Sequence, residues 1–241
     1  MKDLMKHLQT QARYRDIEWS TCIFPAMGQC YGGDWCEAFL LSEHMLALSI
    51  GDVCGHGPEQ HALMRGLRQT IRHAALDGLS PTDILRVANE FLCKHPDQTA
   101  TALFAILHLK HRSLSFANAG HPAPIMATTT AISFLMPSQP DIPLGIDDNF
   151  MPLLDEVAVP ASALLVLYTD GVTEHAQQPI EGEQELYNAV SYAYQQKIRP
   201  TASFIQDRML LNTKNRDDAA IMNVFTSADF VSTMREIQTD G

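Results

Sequence analysis

The 241-residue chain reads as a mostly antiparallel α+β layered fold, on three observations. Strand-length apolar segments come first, followed by two helical patterns, further strands, two more helical patterns and a closing strand. The early strands are joined by tight hairpin turns, which favours antiparallel pairing over a parallel doubly wound sheet. The composition, 46% hydrophobic and 19% charged with only 13 Gly and 13 Pro, is that of an ordinary globular protein and excludes a disordered or collagen-like chain.

Taken in order, Ala38-Phe39-Leu40-Leu41 and Met45–Ile50 flank Ser42-Glu43-His44 as two strands and a hairpin turn. The second strand runs into Gly51-Asp52-Val53-Cys54-Gly55-His56-Gly57, and Pro58 then suits the first turn of a helix. Leu63, Leu67, Ile71 and Ala74 form that helix's apolar face. Ser80-Pro81-Thr82-Asp83 combines a cap residue, Pro at the first helical position and an acid in the first turn. Ile84, Val87, Ala88, Phe91 and Leu92 follow at helical spacing, so a second amphipathic helix is expected. Four further strands are expected at Thr99–Leu109, Ser113–Asn118, Ala131–Met136 and Ala163–Thr169, the first two joined at Lys110-His111-Arg112. Leu186, Ala189, Val190 and Ala193 mark a third helix, and Phe204, Ile205, Met209 and Leu210 a fourth from Thr201. Ala219–Phe225 is the closing strand. One domain over residues 17–226, with a short lead (1–16) anchored by Ile17 and Trp19 and a tail (227–241), is the simplest division.

Seventeen Lys and Arg against 28 Asp and Glu give a formal charge of −11, which opposes nonspecific attraction to nucleic acid or anionic lipid. No apolar run reaches the length that crosses a bilayer, and the first residues carry no secretory pattern, so a cytoplasmic location is expected. The five cysteines (Cys22, Cys30, Cys36, Cys54, Cys93) form no CxxC pair and are expected to be unpaired thiols.

The acids are informative by position. Asp34 follows Gly32-Gly33 before the first strand, Asp52 follows Gly51 at the end of the second, Asp170 precedes Gly171 after a buried run, and Asp217-Asp218 lead into the last strand. A single Asp-Gly after a strand is ordinarily a turn. Four acidic sites at the ends of strands that one sheet system must bring together suggest a cluster instead. Clustered carboxylates repel and raise one another's pKa unless a cation neutralises them. An all-oxygen donor set suits Mg²⁺ or Mn²⁺ and disfavours structural zinc. Two such ions about 3.5–4 Å apart can activate water and clamp an in-line displacement at phosphorus.

Gly32-Gly33-Asp34, Gly51 to Gly57, Ala119-Gly120-His121-Pro122, Pro143-Leu144-Gly145, Tyr168 to Glu174 (YTDGVTE) and Asp217-Asp218 resemble, in that order, the motif series of the SpoIIE/RsbU-type bacterial phosphatases. These belong to the metal-dependent protein phosphatase superfamily, whose other branch is protein phosphatase 2C. The resemblance implies a four-layer αββα sandwich with a site for two Mn²⁺ or Mg²⁺ ions, and hydrolysis of phosphoserine or phosphothreonine on a protein. It implies that Asp52 bridges both metals, that the Val53 carbonyl completes one site, and that Asp170 and Asp217 hold the second. Asp34 is implied among or just behind the ligands of that second metal, and Asp218 could share or exchange the role of Asp217. The implied substrate is a phosphorylated STAS-domain anti-sigma-factor antagonist or a similar partner-switching protein. A homodimer through helix contacts stays open. The chain departs from the family pattern at Glu37, where many members carry Asp, and at Gln60-His61, where small residues are common. In this family the two helices after the GHG motif are thought to carry switching.

Among the histidines, His56 is a candidate general acid for the leaving alkoxide, His121 a weaker candidate, and loop-fixing is the ordinary alternative for both. Cys54 lacks the Arg-closed phosphate loop that a cysteine phosphatase needs. Arg65, Arg68 and Arg72 recur at helical spacing and either face an acidic partner or form a solvated helix face. Two other functions stay open: a dinuclear-metal hydrolase of small phosphoesters, and a catalytically weak module that only binds a partner.

Overall fold

The computed structural model describes residues 8–24, 32–174, 179–210 and 217–230. One sheet holds β1 (Leu8–Tyr14), β2 (Ile17–Phe24), β11 (Ala219–Thr226), β10 (Leu164–Tyr168), β7 (Ile125–Ala127) and β8 (Ile132–Phe134), in that spatial order. The other holds β3 (Asp34–Ser42), β4 (Met45–Val53), β5 (Ala100–His108), β6 (Ser113–Ala119) and β9 (Asp155–Ala158). All named strand pairs are antiparallel. Helices α1 (Pro58–Leu76) and α2 (Pro81–Leu92) cover the second sheet, and α3 (Pro179–Gln195) and α4 (Thr201–Leu210) cover the first. The result is the αββα sandwich. No helix among the described residues is long and apolar enough to cross a membrane.

Alternation along the strands builds this stack. In β4, Leu46, Leu48 and Ile50 enter the core between the sheets while Ala47 and Val53 meet the helices. In β10, Leu165 and Leu167 face the other sheet, and Leu164, Val166 and Tyr168 face α3 and α4. Strands buried on both faces read as continuous apolar runs, which is why these segments showed no period of two. Each fully buried leucine or isoleucine contributes about 1.5–3 kcal/mol relative to exposure. On the outer face of the second sheet, α1 contributes Met64, Leu67, Ile71 and Ala74, and α2 contributes Ile84, Leu85, Ala88 and Leu92. Ser80 caps α2, its hydroxyl accepting the Asp83 N–H at 3.2 Å with Pro81 following.

Residues 8–14, placed in the lead by the sequence, form edge strand β1, paired along its whole length with β2. Their alternation is mostly polar, so no apolar period announces a strand. In the segment assigned to the tail, Phe230 is buried in the inter-sheet core. The short strands β7 and β9 carry too few residues to show a pattern of their own. Cys22, Cys36, Cys54 and Cys93 are free thiols, and Cys30 lies outside the described residues.

Candidate metal centre

The inter-sheet face changes character at one end. Following the alternation one step beyond the core, Ile50 of β4 gives way to Asp52, Cys36 of β3 to Asp34, Leu167 of β10 to Thr169, and Ala220 of β11 to Asp218. Asp34 and Asp52 are direct cross-strand partners. From the facing sheet the Thr169 hydroxyl donates to Asp34 Oδ2 at 2.6 Å, and the Ala220 N–H donates to that hydroxyl at 2.8 Å. The two sheets are thus tied at the point where their apolar filling ends.

Two glycines permit this close approach. A Cβ on Gly33 would stand 2.5 Å from the Val53 carbonyl oxygen and 3.0 Å from Asp52 Oδ1. A Cβ on Gly171 would run into the Asp218 carbonyl. The Gly33 N–H donates to Asp218 Oδ2 at 2.8 Å, the Val53 N–H donates to the Gly33 carbonyl at 3.2 Å, and Asp217 Oδ1 accepts the Asp218 N–H at 2.8 Å. Asp218 is buried and Asp217 is exposed. The adjacent pair therefore divides between a buried anchor for the glycine loop and an exposed carboxylate.

The electrostatics are those of acids gathered without their own bases. Burial, and next the charge of Asp52, push the Asp34 carboxyl well above the usual range. Burial lifts Asp52 to about 6, with the charges of Asp170, Asp217 and Asp218 adding to the rise. Asp170, which opens a 3-10 turn at Asp170–Val172, is pushed up by desolvation and by Asp217, against the Gly171 N–H. Glu174 is raised chiefly by the charge of Asp170. Among the described residues, no Lys or Arg forms an ion pair with Asp34, Asp52, Asp170, Asp217 or Glu174.

The donor set fits a hard divalent ion: carboxylate oxygens and the Val53 carbonyl, mutually repelling and short of positive charge. Among the described residues, no three His, Cys, Asp or Glu side chains close on one point.

Thr169 and Glu174 join the site although sequence reasoning did not select them. Both lie in the segment that contains Asp170, and the strand alternation that puts Leu165 and Leu167 between the sheets puts Thr169 there too. His56 is exposed in the loop between β4 and α1. His121 is buried, and burial lowers its pKa to about 3, so its ring is neutral. Its Nδ1 lies 3.0 Å from the hydroxyl of Thr101, the residue opposite Asp52, and Asn118 holds its backbone on both sides. His121 thus braces the wall behind Asp52. Glu37 is not beside the acids: it faces α1, where Arg72 Nη1 meets its Oε1 at 2.5 Å and lies 4.2 Å over the Phe39 ring. Arg72 is therefore bound to its own sheet rather than displayed to a partner. His61, on the first turn of α1, has Nδ1 3.1 Å from the Gly32 carbonyl.

The model of the family described as Stage II sporulation protein E (SpoIIE) matches residues 42–226. The chain belongs to the SpoIIE family. It is 26% identical over 197 residues to Protein IcfG of Synechocystis sp. (strain ATCC 27184 / PCC 6803 / Kazusa), a match covering 68% of this chain and 31% of that protein. The RsbU and RsbW domains of Rv1364c from Mycobacterium tuberculosis are 25% identical, with a TM-score of 0.76 over 88% of this chain and 60% of that one. The PP2C phosphatase domain and regulatory fragment of SpoIIE from Bacillus subtilis is 15% identical and shares the fold, with a TM-score of 0.74 over 90% of this chain and 64% of that one. This SpoIIE-family chain thus spans about a third of IcfG and less than two thirds of either crystallised chain. It combines membership of the SpoIIE family with the layered fold of that PP2C phosphatase domain.

Proposed function

We propose that the chain is a metal-dependent phosphoprotein phosphatase that hydrolyses phosphoserine or phosphothreonine on a regulatory protein of a partner-switching pathway, in a cytoplasmic setting. The observation that carries this reading is the cross-strand pair Asp34 and Asp52 at the end of the inter-sheet face, with the charges of Asp170, Asp217 and Asp218 acting on Asp52. The SpoIIE family and the likeness to an RsbU domain support the choice of a protein substrate.

In this reading Asp52, the Val53 carbonyl, Asp170 and Asp217 hold two divalent ions, Mn²⁺ or Mg²⁺, with Asp34 and Asp218 close behind. Bound there, the ions supply an activated water and offset the charge of the phosphoryl group. Asp34, its carboxyl pushed up by burial and by the charge of Asp52, keeps Asp52 oriented through their contact. Asp218 does not need to bind metal: its Oδ2 positions Gly33, and that leaves Asp217 as the freer ligand. Thr169 fixes Asp34 from the facing sheet. His56, exposed near the rim, is the candidate that hands a proton to the departing serine or threonine oxygen.

The test is phosphate release from a phosphorylated STAS-domain protein of the same genome, with Mn²⁺, with Mg²⁺ and with chelator, alongside Asp170→Asn. Metal-dependent release by the wild type and its loss in the variant are expected. Equal behaviour of the two proteins rejects the metal assignment, and hydrolysis of a small aryl phosphate alone points to a small-molecule phosphoesterase.

A further inference from the structure

The net charge is unevenly spread along the chain. Residues 1–112 carry 11 Lys and Arg against 12 Asp and Glu, and residues 197–241 carry six against six. Residues 113–196 carry none against ten, so this stretch holds nearly the whole −11. Inside it lies the connection from β8 to β9, residues 135–154, a length without regular secondary structure that is uncommon in compact domains and usually functional.

That connection is anchored, yet it turns its large apolar side chains outward. Leu144 bridges Ala100, the Gly145 N–H donates to Asn89 Oδ1, the Asn89 side chain donates to the Asp147 carbonyl, and Phe150 is buried. Met136, Ile142, Ile146, Met151, Leu153 and Leu154 are all exposed, six of the ten exposed large hydrophobics among the described residues. Concentration of this kind marks an interaction surface, whereas scattered exposed apolar residues do not.

Its position is set by the sheet. Ala100 pairs with Val53 on one side and with Leu144 on the other. Two strand spacings of about 4.8 Å put Leu144 roughly 10 Å from Val53. Ile142 and Ile146, two residues either side of Leu144, therefore flank this bridge to β5, the strand that pairs with β4 and Asp52, with the exposed acids Asp147 and Asp148 next in sequence.

We infer that the 136–154 connection is the docking surface for the protein substrate, a partner that offers exposed apolar side chains flanked by Lys or Arg near its phosphorylated residue. This rests on the phosphatase reading and names the substrate surface of that same site. The charge argument selects the occupant: the connection carries Asp141, Asp147 and Asp148 and no Lys or Arg, so it repels another copy of itself and attracts a basic rim, while the apolar side chains supply the contact area.

The probe is a phosphorylated STAS-domain protein of the same genome, with para-nitrophenyl phosphate as the small comparator. The double variant Ile142→Ser/Ile146→Ser should raise KM for the phosphoprotein about tenfold while leaving kcat/KM for the aryl phosphate within twofold. Asp148→Lys should slow association and flatten its salt dependence with aryl phosphate turnover intact. An unchanged phosphoprotein KM in the double variant overturns the inference, as does an equal loss on both substrates. Concentration-dependent dimerisation of the wild type that the double variant abolishes, without a change in phosphoprotein KM, overturns it in favour of a second copy. If neither substrate is hydrolysed, the phosphatase reading fails. Calorimetric binding of the same phosphoprotein then decides docking alone: tenfold weaker binding by the double variant upholds it, and equal or absent binding ends it.

Discussion

Asp34 and Glu37 stand three residues apart on β3 and have opposite surroundings. Glu37 points to the helical side and receives its own cation: Arg72 pairs with it and stacks on Phe39. Asp34 points to the inter-sheet side and receives Asp52, with Asp218 also near, and no base among the described residues. An acid that serves the fold is supplied with a counter-charge by the chain. Acids gathered without one are held in a strained electrostatic state that an external cation would relieve.

The largest effect should come from breaking the unpaired side. Asp52→Asn is expected to lower metal-dependent kcat/KM on the order of 10³-fold. The same variant should raise the melting temperature of the metal-free protein, because one repelling charge is gone. A phosphatase assay with paired thermal melts in chelator checks both, and a variant that keeps wild-type turnover defeats the comparison. Next, Gly33→Ala places a methyl against the Val53 carbonyl and Asp52, where the backbone cannot yield cheaply. A fall in activity of about 10²-fold with a stability loss of about 1–3 kcal/mol is expected, read from turnover and denaturant unfolding.

A pH series sharpens the contrast further. Asp52 titrates at about 6 in the folded protein against an ordinary 3.8. Between these values the folded state binds more protons than the unfolded one, so stability falls as pH rises through the window. The metal-free protein should melt several degrees higher at pH 5 than at pH 7.5, at about 2–4 °C per kcal/mol for a domain of this size. Saturating Mg²⁺ should flatten that slope, and Asp52→Asn should reduce it. A wild-type melting temperature that rises over this range contradicts the prediction. The smallest effect belongs to the paired acid: Glu37→Gln should cost about 0–1 kcal/mol, since Glu37 and Arg72 are both partly exposed, and leave phosphatase activity within twofold. Loss of catalysis there would show that Glu37 serves the site after all.

Much of the site was legible before any coordinates. Asp34, Asp52, Asp170 and Asp217-Asp218 stood out as acids beside glycines at strand ends, and the same strands supplied the layered fold. Thr169 was hidden because a hydroxyl among apolar residues has an ordinary place in a strand, and its role appears only when Asp34 lies opposite. Glu174 was hidden because its tie to Asp170 is one of charge. His121 looked like a candidate acid, and burial makes it a neutral brace. Glu37 stood out only as a departure from the family pattern, and that says nothing of the strand face it occupies. Edge strand β1 escaped because its residues are polar on an exposed edge, where pairing alone holds the strand.

The sequence by itself determined which chemistry was available: oxygen donors, glycines for close approach, helices with caps, and strands apolar enough to be covered on both faces. These are local properties, written in spacings of two to four residues. Tertiary structure alone decided that Asp34 meets Asp52 across β3 and β4, that Thr169 reaches Asp34 from 135 residues away, and that Asp218 holds Gly33 from 185 residues away. It also decided which of the two adjacent acids is buried and which is exposed. Register and sheet packing are non-local, and only the closing of the two sheets over one core sets them.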